Sequence, residues 1–264
     1  MSKKRVIIGF IFSVILVFIL SAVIVFNKNY VPAILMYHSV SADANPENRL
    51  AVSTKIFERQ MRFLKEHHYN VVTLEVLAGL IKEKKKVPRN TVAITFDDGY
   101  KNNYTEAFPI LKKYNLVANI FIIVNEVGRP QNDRLTWSQI QEMQNSGIFT
   151  IGSHALGPEP LINIKDEGIV KEQVFESKKA LEEKLGRKIN VFSYPEGKLN
   201  PKIRQMVIDA GYKAAVATNP GKKFPNDDVF ALKRLRISAN AGNLFVFWVE
   251  SSGYYNFMRE SRKK

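Results

Sequence analysis

Apolar residues are distributed along this chain in two different ways. Val6–Phe26 is a run of 21 residues without a charge and almost wholly apolar. As a helix rising ~1.5 Å per residue it would reach ~30 Å, the thickness of a bilayer's hydrocarbon core. Beyond a short linker, Asn27–Val31, the pattern changes. Compact apolar runs of strand length alternate with stretches whose apolar residues recur at helical spacing.

The compact runs predict strands at Ala33–Tyr37, Val71–Thr73, Thr91–Phe96, Ala118–Val124, Phe149–Gly152, Asn190–Ser193, Ala214–Ala217 and Leu235–Ser238. The spacing between them predicts helices. Ser53 can cap one that carries Ile56, Phe57, Met61 and Leu64. Others cover Leu74–Lys84, Asn103–Tyr114 with a kink at Pro109, Ser138–Gly147, Lys165–Leu185 stopped by Gly186, and Pro201–Ala210. Asp43–Arg49 is a loop. This alternation, with short connections, calls for a parallel sheet with crossover helices. Strands apolar on both faces suit a sheet covered on both sides. The expectation is a segment 1–28 followed by one α/β domain over 29–264. In a barrel, its chemistry would sit at the C-terminal ends of the strands.

Charge adds a compartment to this picture. Lys3, Lys4 and Arg5 precede the apolar run. A cleaved signal peptide usually has a shorter apolar region and an A-x-A-like site, and Leu20-Ser21-Ala22 is a poor one. An uncleaved anchor fits the length better. The positive-inside rule then leaves Lys3–Arg5 cytoplasmic and the rest outside. The expected location is the cell membrane, single-pass with an extracytoplasmic domain, or secreted if the segment is cleaved.

The net charge is +14, and the four basic residues of the first 28 positions, unopposed by any acid, leave +10 on the remainder. An exported module of that charge suits anionic envelope polymers better than nucleic acid, for which no recognition motif is present. With 17 Phe and 10 Tyr in 264 residues, a disordered class is excluded. The chain has no Cys, which excludes disulfides, Cys-ligated zinc, iron–sulfur clusters and a Cys nucleophile.

Candidate chemistry gathers at strand ends. Thr91–Phe96 leads into Asp97-Asp98-Gly99, which reads either as an exposed turn or as a paired-carboxylate site. Ile151-Gly152-Ser153-His154 ends a second strand, Phe192-Ser193-Tyr194-Pro195-Glu196-Gly197 a third, and Met36-Tyr37-His38-Ser39 the first. His67 and His68 lie at a helix end, where the dipole explains them. Two carboxylates, two imidazoles and a constrained turn at one end of a barrel suit a metal-assisted hydrolase.

Thr95-Phe96-Asp97-Asp98-Gly99 (TFDDG), with MYH, GSH and FSYPxG in order, resembles the polysaccharide deacetylases of the NodB-homology type, carbohydrate esterase family 4. The resemblance covers roughly 33–240 and looks most like the MYH-containing bacterial envelope branch. It implies a distorted (β/α)7-type barrel and removal of N-acetyl groups from chitin-like polymers, peptidoglycan or poly-N-acetylglucosamine. It also implies a divalent metal, for which zinc is the first expectation, and an N-acetylated glycan as partner. By the same resemblance Asp97 is the general base, Asp98 and His154 bind the metal, and His38 is a candidate general acid. Tyr194, Pro195, Glu196 and Gly197 line the substrate groove and offer a backbone N–H to the oxyanion.

Four positions depart from the family pattern, one of them Glu196, where an aromatic is usual before the last Gly of the third motif. A second metal-binding His is expected four residues after His154, where this chain has Pro158. Glu159, one residue on, is a possible substitute. No His follows His154, so His38 is left to cover the late catalytic one. The Arg usual in the third motif is missing, and Arg234 or Arg236 could replace it. Two readings follow: an active deacetylase with an altered metal site, or a degenerate member that binds glycan without turnover.

Overall fold

The computed structural model describes residues 10–18, 20–21, 30–45, 47–129, 133–218, 227–238 and 242–255. Eleven strands are formed among them: β1 (Ala33–Tyr37), β2 (Ser39–Ser41), β3 (Ala51–Ser53), β4 (Asn70–Val71), β5 (Thr91–Phe96), β6 (Ala118–Ile122), β7 (Phe149–Ser153), β8 (Val191–Ser193), β9 (Ala214–Ala217), β10 (Leu232–Lys233) and β11 (Leu235–Arg236). The helices are α1 (Thr54–Glu66), α2 (Leu74–Lys82), α3 (Phe108–Tyr114), α4 (Trp137–Asn145), α5 (Glu167–Leu185), α6 (Pro201–Asp209) and α7 (Leu244–Ser251).

The main sheet runs β10-β9-β8-β7-β6-β5-β1-β11, and every pairing in it is parallel. One residue, Arg234, separates β10 from β11, yet these strands lie at opposite ends of that order. Leu232 pairs with Val216 of β9, and Leu235 pairs with Leu35 of β1. A single short segment therefore bridges both edges and nearly closes the sheet into the expected barrel. Strand β4 shares one edge of β5 with β6. Strands β2 and β3 pair separately beside the mouth.

Local chemistry explains most of the element ends. Ser53 Oγ accepts from Ile56 N–H at 3.2 Å and starts α1. Asp166 Oδ1 accepts from Gly168 and Ile169 N–H, so α5 begins at Glu167, two residues later than predicted. The helix predicted from Asn103 opens instead as a π turn over Asn103–Ala107 and becomes α only at Phe108. Pro109 then falls in the first turn of α3, directly after the π turn. Helix α7 was not predicted, because Leu-Phe-Val-Phe-Trp-Val shows no helical period.

Among the described residues no helix is long and apolar enough to cross a membrane. The apolar run is described only at 10–18 and 20–21, which are helical, with Phe10, Phe12 and Phe18 exposed. Lys3–Arg5, Ala22 and the rest of the expected anchor lie outside the described residues.

Strand alternation divides the core in two. Leu35, Ile94, Phe96, Ile120, Ile151 and Phe192 face the surrounding helices. Ile34, Ala93, Phe121, Val191, Val216 and Leu232 form a second cluster, which fills the barrel interior. Gly152 makes room for this filling, since a Cβ there would come within 2.5 Å of the Phe121 ring. Continuing the interior parity upward gives Met36 and His38, Thr95 and Asp97, Ser193, and Arg234. The barrel's own period-two pattern delivers these polar groups to its C-terminal mouth.

Candidate active site

A cavity of about 580 Å³ opens at that mouth, and Asp97, Asp98, His38 and His154 all line it. Asp97 follows β5 with its N–H donating to Tyr37 O at 3.0 Å, which ties it to the end of β1. Asp98 and Gly99 then turn sharply through positive φ, +70° and +66°. Asp and Gly tolerate this backbone region best. The Asp-Asp-Gly segment is thus both a turn and a site.

Asp97 and Arg234 are the deepest charged pair. Arg234 Nη1 lies 2.7 Å from Asp97 Oδ1, and Nη2 lies 2.6 Å from Oδ2. Nη2 also donates to Ser193 Oγ at 2.9 Å, and Nη1 to Thr95 Oγ1 at 3.3 Å. Below, the guanidinium stacks 5.6 Å from the centre of the Phe121 ring. Burial by itself would push the Asp97 carboxyl up. Arg234 beside it, with His154 and His38, outweighs burial and holds it well below the usual carboxylate range.

His154 turns its Nε2 toward the two carboxylates. Its Nδ1–H donates to Ser193 O at 2.7 Å, so Nε2 is turned toward the carboxylates. Nε2 lies 3.4 Å from Asp98 Oδ1 and 3.9 Å from Asp97 Oδ2. A buried imidazole lone pair facing two carboxylates requires a positive charge between them. Either a proton on the ring or a metal ion supplies it. With the proton, burial lowers the His154 pKa, but Asp97 and Asp98 outweigh burial and raise it. With a metal, ligands at ~2.1 Å on one tetrahedral ion lie ~3.4 Å apart, which matches the Asp98–His154 spacing.

The donor set stops at two. No group of three or more His, Asp and Glu able to hold an ion occurs among the described residues. Pro158 lines the cavity where the third ligand was expected. Glu159, the possible substitute, is exposed and lies outside the cavity lining. The flanking prolines fix its backbone, and Gly157 N–H is bound to Gln173 Oε1 at 2.8 Å.

The third motif divides. Tyr194 does not line the groove: its ring is fully buried against Phe192, and its hydroxyl donates to Phe230 O at 2.9 Å. Strand alternation turns it outward, opposite to Ser193. Pro195 is also buried and outside the cavity lining, whereas Glu196 and Gly197 line it. Tyr194 N–H is bound to Val216 O, Gly197 N–H to Tyr194 O, and Pro195 has none. Glu196, at φ +55°, carries the remaining N–H of the four residues.

His38 Nδ1 is buried and has no hydrogen-bond partner. Burial lowers its pKa below that of an ordinary histidine, against the opposing pull of Asp97 and Asp98. Of the two arginines proposed from sequence, Arg234 pairs with Asp97, and Arg236 stands exposed at the rim. Ser193 and Thr95 were not singled out from sequence. Their signal was parity: Thr95 is two residues before Asp97 on the same strand face. Arg49, Arg134 and Lys198 also line the mouth, with Arg134 paired to Glu126 and Lys198 to Glu196.

The polysaccharide deacetylase family profile matches residues 84–215. Bacillus subtilis YxkH, assigned as a polysaccharide deacetylase, is 34% identical over 219 residues, covering 83% of this chain and 76% of its own. The poly-beta-1,6-N-acetyl-D-glucosamine N-deacetylase of Staphylococcus aureus is 28% identical over 202 residues, covering 72% and 69%. Among solved structures, the Streptococcus pyogenes deacetylase PplD in complex with acetate superposes with a TM-score of 0.72 at 26% identity, covering 82% of this chain and 97% of its own.

Proposed function

The chain belongs to the polysaccharide deacetylase family of NodB type, and from that premise we propose that it is an extracytoplasmic, membrane-tethered hydrolase that removes N-acetyl groups from an N-acetylglucosamine-containing envelope glycan. The observation that carries this is the convergence of Asp97, Asp98, His154 and His38 on one cavity at the barrel mouth. The Staphylococcus aureus relative, named for poly-beta-1,6-N-acetyl-D-glucosamine, supports the glycan class. The apolar run and its basic N-terminal flank support the tether.

Asp98 and His154 would hold a divalent ion, with zinc the best match to a carboxylate and an imidazole. Such an ion polarises an acetamide carbonyl and acidifies a bound water. The chain's own groups supply the rest. Asp97, kept ionised by Arg234, accepts the proton of the attacking water. The Glu196 N–H, on a residue that lines the cavity, would hold the developing oxyanion. His38, whose Nδ1 has no other partner, hands a proton to the departing sugar amine. Its lowered pKa makes the protonated ring a stronger acid.

Pro158 favours a second reading, in which the chain binds glycan without turnover. Metal analysis of the purified chain with an acetate-release assay on N-acetylglucosamine oligomers separates the two. Acetate release that disappears in Asp97→Asn establishes the hydrolase. Glycan binding with no acetate release under any divalent ion establishes the binder. His154→Ala should lower metal content, and unchanged content would refute its assignment as a ligand.

A further inference from the structure

Helix α7 carries an apolar face that is left exposed among the described residues. Phe247 and Ser251 point inward, where Phe247 packs 5.9 Å from the Phe63 ring. On the other side Phe245 is 67% exposed, Trp248 48% and Val246 39%. Phe245 and Trp248 are one turn apart, with ring centres 5.6 Å from each other. Two exposed neighbouring aromatics on one helix face are unusual for a surface in contact only with water.

The chain itself indicates what covers this face. Val31 N–H donates to Gly253 O at 2.9 Å, and the Tyr30 ring packs 5.6 Å from that of Tyr254. A Cβ on Gly253 would come within 2.4 Å of Tyr30, so the fit requires glycine. The Tyr30 hydroxyl is further fixed by Pro88 O and Thr91 N–H, each at 3.1 Å. Tyr30 and Val31, which follow the apolar run in sequence, are therefore stapled to the end of α7. Only residues 27–29 separate Phe26 from Tyr30, a reach of at most ~14 Å. Helix α7, with 8 residues, is ~12 Å long. If the run is a membrane tether, the C-terminal end of α7 lies close to that reach of the bilayer, and Phe245 about one helix length further along. Residues 256–264 follow directly and carry Arg259, Arg262, Lys263 and Lys264 against one acid, Glu260. This charge is complementary to an anionic lipid surface.

We propose that Phe245 and Trp248 of α7 insert into the headgroup region of the bilayer and seat the flank of the barrel against the membrane beside its tether. Indole and phenyl rings favour this interfacial zone. The topology gives the contact a consequence. Strand β11 ends at the mouth side, and α7 runs back from there to Val31, just before β1. A barrel lying on α7 holds its mouth close to the bilayer, where it meets glycan strands near the membrane surface. The proposal rests on the tether reading given above.

The test uses the full chain in vesicles of phosphatidylglycerol and phosphatidylethanolamine with brominated acyl chains. Trp137→Phe leaves Trp248 as the sole tryptophan. Bromolipid should then quench about half of its emission and shift it to the blue, whereas the Trp248→Phe chain, reporting from Trp137, should be little affected. In the Cys-free background, Phe245→Cys labelled with a polarity-sensitive dye gives a second reading that disturbs no core residue. A chain that floats with the vesicles while both probes stay open to aqueous iodide overturns the membrane contact and leaves the tether intact. So does cross-linking of two chains through Cys at 245 without quenching by lipid, which assigns the face to a second copy. A chain that fails to float overturns the tether reading and this proposal together.

Discussion

Arg234 meets Asp97 through two parallel hydrogen bonds at the one point where the chain crosses from one edge of the sheet to the other. Both side chains are buried, so the pair forms at the bottom of the cavity and not in solvent. Barrel closure and the ionisation of the proposed base are thereby linked in a single residue.

Replacing Arg234 by Met should therefore have two effects. Leaving the carboxylate unpaired should lower stability by about 3–5 kcal/mol, read by denaturant unfolding. In the fraction that stays folded, burial is no longer offset and the Asp97 pKa rises. The acid limb of kcat/KM should move up by at least about one pH unit. Arg234→Lys keeps the charge but loses the fork, and its limb should fall between the two. A limb that stays in place in both variants would restrict Arg234 to a structural part.

Asp97→Asn should lower kcat by about 10²–10⁴-fold, because the group that accepts the water proton is gone. It should also destabilise the chain, since the buried Arg234 charge loses its partner. Adding Arg234→Met to Asp97→Asn removes that stranded charge. The double variant should regain about half or more of the lost stability while staying inactive. Equal stability of single and double variants would show that the two residues are not energetically coupled.

Most of the barrel could be read from the sequence because its strands are short apolar runs between amphipathic helices. Ala33–Tyr37, Thr91–Phe96 and Ala214–Ala217 match their predicted bounds. What escaped had no local signal. Strand β10 and the switch at Arg234 depend on pairing with residues far away in sequence. The site was legible where a side chain continues the interior-facing parity of its strand, as Asp97 and His38 do. It was misread at Tyr194, where counting one more residue along the same strand alternation places the ring outside the barrel. The position of Glu159, exposed and off the cavity lining, depends on a loop, with Ala155 at φ +65°, that no periodicity describes.

Pro158 gives the most direct probe of the metal site. Because it lines the cavity, Pro158→His should place an imidazole within reach of Asp98 and His154. Affinity for zinc should rise at least about tenfold, measured by competition with a chelator. Glu159→Ala should leave zinc affinity unchanged, since Glu159 lies outside the cavity lining. If Pro158→His changes nothing while Glu159→Ala weakens binding, the loop is arranged differently when an ion is bound.

Glu250 on α7 offers a pH test that does not involve catalysis. Burial pushes its carboxyl up to about 7, and its Oε2 has no hydrogen-bond partner. The folded state therefore binds the proton more tightly than the unfolded chain does. The group carries no penalty below the unfolded value near 4.5. A penalty grows as pH rises through that window and levels off above about 7. The full shift would correspond to about 3 kcal/mol, and partial solvent contact reduces this to about 1–2 kcal/mol. Glu250→Gln should accordingly raise the midpoint of thermal unfolding at pH 8 by a few degrees, about 2–4 °C, for a chain of this size. It should leave the midpoint at pH 4 unchanged, because both side chains are then neutral. An equal gain at both pH values would assign the effect to packing instead of charge.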